Sequence, residues 1–174
     1  APQLDLELST EEVQPDFSDV AGQTRARFAA EVAASGGHHL LLIGPPGAGK
    51  TMIAARLPTI LPALGIDQAL EVTAVHSIAG SLGTRSPMSL VAPIVSPHHS
   101  ASRVAMVGGG SHAIKPGACS LAHYGVLFID EAPECGPGVL DALRQPLESG
   151  TVTIARSVGN LTFPAQFLLV LAAN

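Results

Sequence analysis

The chain has 174 residues, 47% of them hydrophobic, with 18 Gly, 14 Pro, no Trp and a formal net charge of −5. That length suits one domain of ordinary size, and the apolar content argues against a disordered chain. Only 9 Lys and Arg and 3% aromatic residues exclude a strongly basic nucleic-acid surface and a base-stacking platform. Any DNA contact must be local or assembled from several copies.

No apolar run approaches the roughly 20 residues of a membrane-spanning helix, and acidic residues stand where a signal peptide would carry Lys or Arg. A cytoplasmic protein with no membrane partner is expected. Cys119 and Cys135 are too few for a disulfide framework.

In chain order, residues 1–15 are acidic and lack a sustained period, which predicts a linker from an upstream domain, with the fold starting at Asp16. Gly22 to Ala34 carries Ala and Val at helical spacing and stops at Gly36-Gly37, the usual chemistry of a helix C-terminus. His39 to Ile43 is an apolar run without alternation, which predicts a strand buried on both faces of a parallel sheet. It runs into a glycine-rich turn and then a helix. From Thr73 to Lys115 the pattern breaks into Gly, Pro, Ser and His, the composition of an insertion with turns and a hairpin. Further strands are predicted at Val126–Ile129 and Phe167–Ala173, and a helix at Gly138–Leu147. Thr151–Ile154 and Leu161–Phe163, separated by a stretch with Gly159-Asn160, predict a β-hairpin.

Three predicted strands end in polar chemistry: the glycine turn, Asp130-Glu131 and Asn174. In open parallel sheets ligands bind outside the carboxyl ends of the strands, so the expected architecture is a doubly wound α/β fold with its site at that end. Gly44-Pro45-Pro46-Gly47-Ala48-Gly49-Lys50-Thr51 fits the phosphate-loop pattern between a strand and a helix. Its glycines let backbone N–H groups turn toward phosphate oxygens, Lys50 reaches the β- and γ-phosphates, and Thr51 places a hydroxyl on Mg²⁺. Asp130 would hold the Mg²⁺ shell and Glu131 would orient or deprotonate water. Asn174, on the neighbouring strand, would hydrogen-bond the γ-phosphate or that water.

The seven His invite a metal reading, but His38 and His39 are adjacent and point to opposite faces of an extended chain, and no zinc-like Cys-x-x-Cys occurs. Cys119 near His123 is more simply a small buried thiol than a nucleophile.

With these residues in place the chain resembles an AAA+ ATPase of the Mg-chelatase-like family, ComM-type branch. The resemblance covers nearly the whole chain from Asp16. It is carried by the phosphate loop and by Gly36-Gly37-His38-His39, Leu70 to Ser77, Pro97-His98-His99-Ser100-Ala101-Ser102, Gly108-Gly109-Gly110, Ser120 to His123 and Ala142 to Glu148.

The resemblance implies a P-loop core with β-hairpin inserts, ATP and Mg²⁺ as ligands, and a hexameric ring that branch-migrates or translocates DNA. It places Asp19 and Val20, with Gly22-Gln23, near the adenine, and it makes Asn174 the first sensor. It also implies that the arginine finger and helical lid lie beyond Asn174, so that this piece alone binds nucleotide but hydrolyses it slowly. In that setting Arg103, Lys115 and Arg156 are the candidate DNA contacts, although Val91–Ser96 lacks the basic residues expected before Pro-His-His. Two other functions fit the same motifs: a chelatase-type ATPase that remodels a partner protein for metal insertion, and a nucleotide-dependent interaction module.

Overall fold

The computed structural model describes residues 15–82, 88–110, 113–136, 138–156 and 159–174. In chain order the elements are α1 (Thr24–Gly36), β1 (Leu40–Ile43), α2 (Lys50–Arg56), α3 (Ile66–Ala79), β2 (Ile94–Val95), α4 (Arg103–Val107), β3 (Gly108–Gly109), β4 (Lys115–Pro116), α5 (Ala118–Leu121), β5 (Val126–Ile129), α6 (Arg144–Ser149), β6 (Thr151–Arg156), β7 (Gly159–Pro164) and β8 (Leu168–Ala173). The expected linker, residues 1–15, lies outside the described residues apart from Pro15.

Four strands form a parallel sheet in the order β1-β8-β5-β2. The period of two along β5 and β8 divides their side chains between two cores. Val126, Phe128, Leu168, Val170 and Ala172 join Leu42 and residues of α1 and α2 on one face. Leu127, Ile129 and Leu169 join Met106, Cys119, Leu143 and Val152 on the other. Each such fully buried Leu, Ile, Val or Phe contributes about 1.5–3 kcal/mol of hydrophobic stabilisation. These central strands therefore hold the loops at their ends in fixed positions. Burial also pushes the Cys119 thiol up to about 12, leaving it protonated and unreactive.

The strand predicted from His39 runs from Leu40, and it is not buried on both faces. Leu41 and Ile43 are 56% and 72% exposed. Among the described residues β1 pairs only with β8, and the second core covers β5 and β8 without extending over β1. The predicted insertion also begins later than Thr73, because α3 continues to Ala79, capped by left-handed Gly80. Its Val75 is buried, and Thr73 turns its hydroxyl back onto the Ala69 carbonyl, which hides the helical pattern behind a residue favouring turns. Over the predicted helix 138–147, a turn and a 3₁₀ segment (Asp141–Leu143) precede α6. Gly138 is left-handed and Pro146 has no N–H to donate to an earlier turn, so the regular helix starts only at Arg144. The hairpin is longer than predicted, with Arg156 opposite Gly159 in an antiparallel ladder.

At the sheet end opposite the strand carboxyl termini, His123 ties α3 to the start of β8. Its Nδ1 accepts the Gln166 N–H at 3.1 Å, which leaves the proton on Nε2, 3.1 Å from the Glu71 carboxylate. The ring is 2% exposed, and burial holds its pKa below the ordinary value, against the opposing pull of Glu71. As pH falls below about 6.5 the unfolded chain takes up a proton that the folded chain resists, so stability falls with pH. Urea denaturation is expected to show a lower midpoint at about pH 5.5 than at about pH 7.5, with His123→Gln flattening the slope. Equal slopes in parent and variant would contradict this role.

Candidate nucleotide-binding site

β1, β8 and β5 are adjacent and parallel, so their carboxyl ends lie side by side. β1 leads into the glycine loop, β8 ends beside Asn174, and β5 ends beside Asp130. Gly44 N–H donates to the Ala173 carbonyl at 3.2 Å, fastening the start of the loop to β8. The loop turns because Gly47 and Gly49 adopt left-handed φ values of 77° and 79°, a region costly for residues with a Cβ. Gly49 opens α2, whose first N–H groups have no intrahelical acceptor.

Lys50 is held by three acceptors. Its Nζ donates to the Gly44 carbonyl at 2.7 Å, the Pro45 carbonyl at 3.1 Å and Asn174 Oδ1 at 2.8 Å. The Thr51 hydroxyl donates to Asp130 Oδ2 at 2.8 Å, and Asp130 Oδ1 accepts the Glu131 N–H at 2.9 Å. One ammonium, one amide, one hydroxyl and a carboxylate thus converge from the loop and two neighbouring strands. Glu131 follows in the left-handed region, with φ 50°, a strained conformation for a residue that is not glycine. Its carboxylate meets His99 Nδ1 at 2.9 Å.

The donor set fits Mg²⁺. Thr51 and Asp130 offer hard oxygens within hydrogen-bond distance of each other, the ligand type this cation takes in small number beside water. The loop fits a polyphosphate by its chemistry, two left-handed glycines that turn the backbone and the Lys50 ammonium lying against the Gly44 and Pro45 carbonyls. Pro45, Pro46 and Ala48 complete the loop, and the Ala48 N–H closes a turn onto the Pro45 carbonyl at 3.2 Å. Among the described residues no three His, Cys, Asp or Glu side chains converge on one point.

The segment expected near the adenine folds against α2. The Phe17 N–H donates to Thr59 Oγ1 at 3.0 Å, and Asp19 Oδ2 accepts the Asp16 N–H at 3.0 Å and lies 3.9 Å from Arg56 Nε. Val20 is fully buried in the first core, backbone and side chain alike. One neighbour of the site, His99, receives no site role from the sequence, because it meets Glu131 only through tertiary folding. Gln23, which the resemblance sets near the adenine, is left-handed at φ 47°, and its amide lies where a Cβ on Gly49 would clash.

The candidate DNA contacts are separate from this site in sequence. Arg103 opens α4 and Lys115 opens β4, both exposed. Arg156 ends β6, and its side chain lies outside the described residues. No helix among the described residues is long and apolar enough to cross a membrane.

Residues 16–174 match the family model described as magnesium chelatase, subunit ChlI. The chain is 49% identical to competence protein ComM of Haemophilus influenzae, over 91% of this chain and 31% of that protein. It is also 49% identical to YifB of Escherichia coli K12, over 93% and 32%, and 55% identical to Rv2897c of Mycobacterium tuberculosis, over 95% and 33%. The chain therefore spans about one third of the length of these relatives. A solved BchI–BchD magnesium chelatase assembly has the same fold, with a TM-score of 0.70 at 24% identity, over 92% of this chain and 55% of that one. The parallel sheet with flanking helices, the phosphate loop at its carboxyl edge and the family match agree: from Asp16 to Asn174 this chain belongs to the Mg-chelatase-like AAA+ family, with ComM and YifB among its relatives.

Proposed function

We propose that this chain is the ATP-binding and ATP-hydrolysing core of a motor that, as a full-length hexameric ring, translocates or branch-migrates DNA. The observation that carries the nucleotide half is the meeting of Lys50, Asn174, Thr51 and Asp130 at the carboxyl ends of adjacent strands. The DNA half is supported by 49% identity to a competence protein. A ring reconciles a net charge of −5 with DNA binding, because exposed Arg103 and Lys115 recur in every copy around one axis.

In this reading the loop amides and Lys50 hold the β- and γ-phosphates of ATP, with Lys50 exchanging the Gly44 and Pro45 carbonyls for phosphate oxygens. Thr51 and Asp130 hold Mg²⁺, which when bound offsets phosphate charge. Asn174 orients the terminal phosphate or the attacking water. Glu131 accepts a proton from that water as its oxygen bonds to the γ-phosphorus and the bond to ADP breaks.

The test is ATP turnover by the full-length polypeptide with and without branched DNA. Stimulation by DNA that disappears in Arg103→Ala/Lys115→Ala is the expected result. Turnover indifferent to every DNA offered would transfer the assignment to a motor acting on a partner protein.

A further inference from the structure

We propose that the outer faces of α1 and α3 form a head-to-tail interface between copies of this chain, with Arg25, Phe28 and Val32 of one copy seated on Asp67, Leu70 and Ala74 of the next. This interface rests on the reading of the chain as a ring subunit and gives that ring its contact surfaces.

Each helix uses one face for its own chain's core and leaves a second apolar face over. α1 docks through buried Ala30, Ala33 and Ala34, while Phe28 is 68% exposed and Val32 is exposed one turn on. α3 docks through buried Ala69 and Val75 and leaves Ile66 and Leu70 66% and 53% exposed, followed by exposed Ala74 and Ile78. Residues four apart in a helix are neighbours on its surface, so Ile66, Leu70, Ala74 and Ile78 form one continuous stripe. The Leu64 N–H donates to the Leu90 carbonyl at 2.8 Å, which brings exposed Leu90 and Val91 beside the start of that stripe. A stripe of apolar side chains widened by a second segment is the kind of surface that proteins cover with a partner.

The two faces match in spacing and in charge. Arg25, Phe28 and Val32 stand at i, i+3 and i+7 along α1, and Asp67, Leu70 and Ala74 stand at i, i+3 and i+7 along α3. Laid side by side in parallel, the helices put the Arg25 guanidinium against the Asp67 carboxylate and Phe28 over Leu70. Val32 then meets Ala74, whose small side chain suits helix axes about 8–10 Å apart. Both charges are exposed, and among the described residues neither has an ion pair within its own chain. Glu71, the other acid of α3, is already engaged by His123 at 3.1 Å. Glu31 stands about 100° around α1 from Val32 and falls to the side of this face. A second copy is the fitting occupant because the basic and acidic faces are two different surfaces of one chain, and like faces would set Arg25 against Arg25. Joining unlike faces leaves one α1 face and one α3 face free at the two ends, so copies add until the array closes on itself.

Sedimentation velocity of the full-length polypeptide with ATP, over a range of concentrations, reads the assembly, and thermal melts establish that each variant is folded. Phe28 is so exposed that its truncation leaves the core of its own chain intact. Phe28→Ala is expected to raise the concentration at half-assembly about 30-fold. Arg25→Glu and Asp67→Arg are each expected to raise it about 10-fold or more, because each sets like charges together across the interface. Combining Arg25→Glu with Asp67→Arg reverses the pair and is expected to recover most of that loss. Single variants that assemble as the parent does, or a double variant no better than its parts, overturn this interface, while assembly of the parent keeps the ring reading. A parent polypeptide that stays monomeric with ATP overturns the ring reading and this interface with it.

Discussion

Replacing Glu131 with Gln is expected to lower ATP turnover by the full-length polypeptide about 10²–10⁴-fold while leaving ATP affinity within about twofold. The amide has the size and hydrogen-bonding reach of the acid but cannot take a proton at neutral pH. Glu131 lies one residue beyond Asp130, which with Thr51 makes up the proposed Mg²⁺ corner, so the change leaves the glycine loop and the Thr51–Asp130 hydrogen bond intact. A loss confined to turnover is therefore the signature of a base. A parallel loss of ATP affinity would instead place Glu131 among the binding groups, and unchanged turnover would remove it from the chemistry.

Lys50→Ala is expected to act on binding. Hydrogen bonds to charged groups contribute about 1.5–3 kcal/mol each, and the loss of one such phosphate contact corresponds to about 10- to 150-fold weaker ATP binding. Lys50 also ties the loop together, since its ammonium joins the Gly44 and Pro45 carbonyls to Asn174. Removing it frees three acceptors at once, so the loop is expected to become more mobile as well as less positive. Isothermal titration of ATP into parent and variant, with melting curves beside them, checks both consequences. Equal affinities would defeat the phosphate-loop assignment.

The parts of the site built from local chemistry are legible in the sequence. The glycine loop announces its own turn, and Asp130-Glu131 and Asn174 announce strand ends, because a buried parallel strand reads as an unbroken apolar run. The sheet places those ends side by side, and the Lys50–Asn174 and Thr51–Asp130 hydrogen bonds join positions far apart in sequence. What periodicity cannot give is environment. Leu41 and Ile43 are as apolar as the residues of β5, yet they face solvent because β1 stands at the edge of the described sheet. α3 is obscured by Thr73, whose preference for turns is overridden by packing of Ala69 and Val75. His99 is invisible for a stronger reason. Its histidine pair suggests a metal by residue type, whereas its actual partner is Glu131, reached only because β2 and β5 run parallel.

The central claim is that the loop from Gly44 to Thr51, together with Asp130 and Asn174, forms one nucleotide site. Calorimetric titration of the chain with ATP, first with Mg²⁺ and then with EDTA, tests it most directly. The account predicts saturable one-to-one binding that is tighter with Mg²⁺, since Thr51 and Asp130 then act through the metal. No binding with Mg²⁺ present, or binding that persists undiminished in Lys50→Ala, would contradict it.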